Sequence, residues 1–411
     1  MSDISTRGFT GVGMASLVAA ASGYVVLVIA GNVLDKAANA DFLAFWGLLF
    51  FLFGTLGGLQ SVVTRSVHVE RTGAALPRGA PGASVLPHGL AIGGVLAALV
   101  AVSSPLWARA ALGADPWPRV ALIVVAVLAF SGQTAIAGSL AGLGRWNDYS
   151  RLVGAEAILR VAAVAVAVLA GADLFGLEAA VAAAAATWGL MMIVGRVRSA
   201  GRQRAELATP AFLAASGHAM LGAASSAALV VGFPVLLRVT SSAEAYDLAA
   251  PLLLAVVLTR APLLMPLNAY QGMAITHFVS NRDQGARPLL RVAGVVVAVG
   301  LAGAGAAALV GPWLMETIFS EGYRVSPLVL AGLTLTAALL ALLTLTGAAT
   351  LALGGHGAYA AGWLTATACA TLALLLPGTT TSRTILSLAV GPAVGIVVHI
   401  VWARRALRTQ L

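Results

Sequence analysis

The stretch "PLLLAVVLTRAPLLMPLNAYQGMAI", Pro251 to Ile275, is apolar and long enough to cross a membrane as a helix, yet Arg260 stands near its middle. An arginine at the centre of a membrane helix costs about 3 kcal/mol on insertion scales, so it faces protein or water in preference to lipid. Arg260 lies 11 residues beyond Ala249, about 17 Å along a helix in a hydrocarbon core about 30 Å thick, too deep to reach either interface easily. Gln271 follows 11 residues later on nearly the same azimuth, with Asn268 to one side of that face. Pro262 and Pro266 free backbone groups that neighbouring helices or water must take up. The preferred reading is a helix with one wet side, where Arg260, Gln271 and Asn268 face a cavity. The competing reading pairs Arg260 with an acid on another helix, such as Glu156.

The rest of the 411 residues agrees with a membrane setting, being 60% hydrophobic and 9% charged with a mean hydropathy of +0.95. A soluble domain is roughly a quarter charged. The apolar runs lack the period-2 alternation of barrel strands, so the spans are read as helices. Breaks at charged, Pro or Gly clusters predict twelve: Phe9 to Leu34, Phe42 to Val63, His88 to Trp107, Val120 to Leu143, Leu152 to Ala170, Leu174 to Val194, Phe212 to Leu236, Ala249 to Phe278, Val292 to Trp313, Pro327 to Leu353, Tyr359 to Leu376 and Ile385 to Trp402. The first is longer than a signal-peptide core and is read as a retained helix. With Cys369 the only cysteine, no internal disulfide can form.

Placing the N-terminus in the cytosol puts most of the 24 basic residues, among them Arg65, Arg145, Arg151, Arg196 and Arg404, on the inner side. Both termini are then cytoplasmic in a multi-pass protein of the cell membrane. The basic stretch "GRVRSAGRQRAELATP" divides the chain into a six-helix lobe over 1–195, a cytosolic linker over 196–210 and a second six-helix lobe over 211–411. A faint repeat supports duplication: Gln60 with Arg71 matches Gln271 with Arg282 at an offset of 211, and Leu143-Gly144 with Tyr149 matches Leu353-Gly354 with Tyr359 at 210.

Glu156 and Arg160, in "AEAILRVAAV", share a helix face at i, i+4 and can neutralise each other, which reads as a structural or coupling ion pair. Asn32 and Gln60 are further polar residues within spans. The chain has no phosphate-binding glycine loop, no metal-type cluster of His, Cys, Asp or Glu, no Ser/His/Asp arrangement, and no Gly-x-x-x-Asp-Arg pattern after the second span. These absences argue against an ATP-driven pump, an enzyme or a major facilitator transporter; no cofactor and no nucleic-acid partner are expected.

"GGLQSVVTRSV", "GSLAGLGRWNDYSRLVGAEAILRVAAV", "LTRAPLLMPLNAYQGMAITHF" and "IFSEGYRVSPLVLAGL" carry a resemblance that extends over roughly Gly8 to Arg404. The chain resembles the polysaccharide (O-antigen type) flippases of the multidrug/oligosaccharidyl-lipid/polysaccharide (MOP) exporter superfamily. The resemblance implies an all-α, MATE-like architecture of two six-helix lobes around a central cavity lined by spans one, two, seven and eight. It implies alternating access, a lipid-linked saccharide as substrate, membrane lipids around it, and glycosyltransferases or a polymerase as partners. It also implies that Arg260 receives the substrate's diphosphate, with Gln60 and Asn32 lining the same cavity and Arg65 at the inner end of span two either a second cation or, equally, an ordinary positive-inside anchor. Lipid II flippases have two further helices and more cavity cations, a departure that leaves the substrate open.

The rival readings are a MATE-like multidrug exporter coupled to H+ or Na+, a lipid II flippase-like protein, a membrane glycosyltransferase, and a scaffold without transport. The first generally needs an unpaired acid within the membrane, and Glu156 has Arg160 beside it. The glycosyltransferase would need a sizeable outer loop with catalytic groups, which the sequence lacks.

Overall fold

A computed structural model describes residues 6–70, 82–113, 115–280, 287–319 and 321–408. Among the described residues sixteen α-helices run in chain order: α1 (Thr6–Val33), α2 (Lys36–Glu70), α3 (Val85–Leu112), α4 (Trp117–Gly142), α5 (Trp146–Leu169), α6 (Leu174–Ala183), α7 (Thr187–Ile193), α8 (Arg198–Gly201), α9 (Thr209–Val230), α10 (Phe233–Val239), α11 (Ala243–Asp247), α12 (Ala250–Ser280), α13 (Arg287–Ile318), α14 (Pro327–Ala352), α15 (His356–Leu374) and α16 (Thr380–Arg408). No strand occurs among the described residues. The protein is an all-α integral membrane protein.

Among the described residues, ten helices are long and apolar enough to span a membrane. The sequence predicts twelve; α12, an apolar helix whose described side chains run without a break over Ala250–Leu264, and α15 are continuous helices outside those ten. The predicted sixth span is a composite, with α6 and α7 joined by a 3-10 turn over Ala184–Ala186. The predicted seventh span, Phe212 to Leu236, is also broken, because α9 stops at Val230 and α10 starts at Phe233. Pro234 explains this break: it has no N–H to give and cannot continue a helix begun before it.

By contact, the chain forms two units, one of Met1–Val33 with Ala44–Ala227 and the other of Leu34–Leu43 with Ala228–Leu411. The segment expected as a linker lies in the first unit, where Ala83, Val85, Gln203, Ala205 and Leu207 exchange backbone hydrogen bonds.

In the first unit α4 is the central helix, and every residue from Ser131 to Gly142 is buried. A helix enclosed on all sides in a membrane needs small residues so that its neighbours can approach. Gly132 meets the Trp188 ring, and a side chain at Gly138 would press on the Gln60 carbonyl at 2.9 Å. In the second unit α14 takes the corresponding place, with α12, α13 and α16 against it and α15 packed along α16. Gly362 meets the His399 ring, and a side chain at Gly395 would stand 2.7 Å from the Gly362 carbonyl.

The two central helices end in the same turn. Gly144 donates to Ala141 and Arg145 to Leu140; 210 positions later Gly354 donates to Leu351 and Gly355 to Thr350. Gly144 (φ 67°) and Gly354 (φ 82°) are both left-handed, a conformation in which a Cβ is strained, which is why the repeat keeps glycine there. Tyr149 and Tyr359 then enter the next helix through matching bonds to Arg145 and Gly355. The other half of the repeat, at Arg71 and Arg282, lies outside the described residues.

Candidate functional site

Charged groups in apolar helices must find partners within the protein, so the buried arginines show where the chain has built polar structure. Arg260, on α12, is buried with 7% of its surface exposed. Its Nη1 donates to the Val230 carbonyl at 2.9 Å and the Leu229 carbonyl at 3.3 Å, and its guanidinium lies 5.6 Å from the Phe233 ring centroid. In an unbroken helix the residue four positions on would donate to Val230, and that residue is Pro234. Arg260 therefore supplies the donor that proline withholds, and adds a positive charge at the negative end of the α9 dipole. The side chains of Asn268 and Gln271, expected beside Arg260, lie outside the described residues.

The other sequence-derived residues lie in the first unit. Arg160 is buried, bonds Glu156 one turn back, donates to Ser22 Oγ at 3.3 Å, and lies over the Phe50 ring at 5.0 Å. Gln60 is half-buried and donates to Tyr149 Oη at 3.5 Å. Asn32 is exposed and donates to the Val28 carbonyl of its own helix at 2.8 Å. Arg65 is exposed on α2. The structure joins Glu156 to Arg160.

Sequence reasoning missed two further charge clusters. Arg119 at the start of α4 donates to Glu178 at 3.0 Å and to the Leu112 carbonyl at 2.6 Å, with the Glu178 side chain fully buried. In the second unit Arg238 contacts Asp41 at 3.2 Å and Asp247 at 3.3 Å and lies 4.6 Å from the Tyr246 ring centroid. Burial pushes the Tyr246 hydroxyl well above its ordinary value, so it stays protonated and donates to the Ala40 carbonyl at 3.1 Å. These partners are 59 residues or more apart for Glu178 and Asp41, and no local spacing signals them.

A pattern emerges across the ten candidate spans. Each carboxylate they contain contacts an arginine: Asp41 with Arg238, Asp148 with Arg145, Glu156 with Arg160, Glu178 with Arg119, and Glu316 with Arg324. Among the described residues no three His, Cys, Asp or Glu side chains come together in a metal-binding group.

No family model matches the sequence. The chain is 41% identical over 393 residues to the uncharacterized protein Rv1510 of Mycobacterium tuberculosis, covering 95% of this chain and 90% of that protein. It is 38% identical over 401 residues to the uncharacterized protein Mb3654 of Mycobacterium bovis, covering 97% and 92%. Among solved structures, a multidrug resistance MATE family transporter of the MOP superfamily matches in its inward-facing conformation with a TM-score of 0.71 at 14% identity, covering 97% of this chain and 98% of that one. Its outward-facing conformation gives 0.68 at 13%, covering 98% and 96%. A MOP superfamily transporter from Pyrococcus furiosus, described with a binding pocket of reverse polarity that suggests a different function, gives 0.68 at 14%, with the same coverage of 98% and 96%. The chain belongs to one family with these mycobacterial proteins, and its fold is that of the MATE transporters.

Proposed function

We propose that the protein is a transporter, not an enzyme, and that it moves a polyprenyl-diphosphate-linked saccharide from the inner to the outer leaflet of the cell membrane by alternating access. The single observation that carries this reading is the pairing of every carboxylate in the ten candidate spans with an arginine. A cation-coupled exporter needs an intramembrane acid with an open face for its ion, and an arginine partner already occupies that face with a fixed counter-charge. An anionic headgroup instead gains from arginine, and its passage out of a negative-inside cell is downhill by about 2.3 kcal/mol per charge per 100 mV. In this proposal Arg260, held near the middle of α12 by the α9 carbonyls, gives the headgroup's path its positive potential, and Arg65 marks the inner end of α2. Gln60 and Asn32 in the first unit, and Asn268 and Gln271 in the second, are the further proposed substrate contacts, and glycosyltransferases or a polymerase the partners.

The second reading, a multidrug exporter coupled to H+ or Na+, draws on the solved MATE transporters of like fold. In that reading Glu156 and Arg160 form the coupling pair.

The two separate in vesicles. Protein reconstituted with a fluorescent polyprenyl-diphosphate saccharide should speed the label's passage between leaflets, scored by a membrane-impermeant quencher, and should leave a cationic dye unmoved under an imposed proton gradient. Dye transport that Glu156→Gln abolishes, with no lipid movement, establishes the second reading and removes the first.

A further inference from the structure

Span six is interrupted by the 3-10 turn Ala184–Ala186, and below it α7 is pinned toward α4, where Trp188 donates to the Ala129 carbonyl at 2.7 Å and its ring fills the space at Gly132. On the α5 side of α7 the facing residues, Gly154 and Ala155, are small, and nothing lies within 4 Å of where a Cβ on Gly154 would be. The result is a groove of about 510 Å3 within the first unit. Its walls are apolar, with Ile158, Leu190 and Val194 well exposed. The one hydroxyl in the lining, on Thr187, donates to Ala184 in its own chain turn.

One end of the groove is charged, where Arg151 and Arg196 stand at the rim. Asp148 takes ion pairs from both Arg145 and Arg151, so one carboxylate already answers two arginines before Arg196 is counted, and positive charge is in surplus. The rim is built, not trailing. Val197 and Ala200 dock in a buried cluster with Ile136, Leu140 and Leu152, and Arg145 donates to the Arg196 carbonyl at 3.3 Å. Arg198 closes α7 by donating to the Met192 and Ile193 carbonyls at 2.8 and 2.7 Å. From Arg151 to Ile158 is about 10 Å along α5, within the roughly 15 Å depth of one hydrocarbon leaflet.

A cationic rim over an apolar trough of leaflet depth complements a molecule with an anionic head and an apolar tail. We propose that the α5/α7 groove is a specific site for one anionic phospholipid, whose phosphate lies against Arg151 and Arg196 and whose acyl chain runs along Ala155, Ile158 and Leu190. The site is independent of the transport reading above.

Purified full-length protein in neutral detergent tests this by thermal unfolding and native mass spectrometry, with phosphatidylglycerol, phosphatidylcholine or inorganic phosphate added. Phosphatidylglycerol should give a one-to-one adduct and raise the unfolding midpoint; the other two should do neither. The Arg151→Gln/Arg196→Gln variant should weaken the adduct about tenfold or more. Ala155→Leu, which fills the trough and keeps the charge, should weaken it as well. Arg291→Gln/Arg404→Gln, equal in charge loss but in the second unit and outside the groove lining, should bind as the parent does. Equal binding by all variants, an equal response to phosphatidylcholine, or an equal response to free phosphate would each overturn the site.

Discussion

Pro234 and Arg260 form one device made from two residues that each look unfavourable in a membrane helix. Proline leaves the Val230 carbonyl without its helical donor, and the guanidinium replaces it. Arg260→Ala should therefore strand a buried carbonyl and lower stability by about 1–3 kcal/mol, read as a drop in the unfolding midpoint in detergent. Pro234→Ala, added to that variant, restores an N–H at the right position and should recover part of the loss. A double variant no more stable than Arg260→Ala would separate the two residues. The contact between Glu156 and Arg160 was legible in the sequence from their spacing. The groups that receive Arg260 were not legible, because they lie on another helix 30 residues earlier and are backbone carbonyls, which no side-chain pattern records.

At the level of elements, the paired turns after α4 and α14 carry the strongest internal echo of duplication. Each places glycine in the left-handed region at the same step of the same hydrogen-bond pattern. Gly144→Ala and Gly354→Ala should each cost about 1–2 kcal/mol, similar in size, measured as separate shifts of the unfolding midpoint; a tolerated change at one site alone would show that the turns are not equivalent. The Leu-Gly pairs announced these turns in the sequence. The two helix breaks were harder to read: Gly232 and Pro234 marked the one after α9, inside a run read as continuous, whereas the turn at Ala184–Ala186 is written in the best helix-forming residue and has no local signal. Tertiary anchoring by Trp188 accompanies that turn, which propensity alone does not anticipate.

For the molecule as a whole, hydropathy made the all-α membrane class plain, since 60% apolar residues in long runs leave few other options. The long-range ion pairs were out of reach because Arg119 with Glu178 and Arg238 with Asp41 join only after the helices have packed. The end of α9 bears on energetics at this scale. A helix terminus inside a membrane is a negative socket of the kind that a dissolved metal ion can occupy. Here the occupant is tethered by its own chain. Such a socket neither loads nor empties as ion concentrations change on the two sides of the membrane. The unfolding midpoint should accordingly be the same in sodium chloride and in choline chloride of equal ionic strength, and a rise specific to sodium would contradict this. A plug that never leaves cannot serve as a currency of exchange, so in the proposed transport the drive must act elsewhere in the protein or arrive with the cargo.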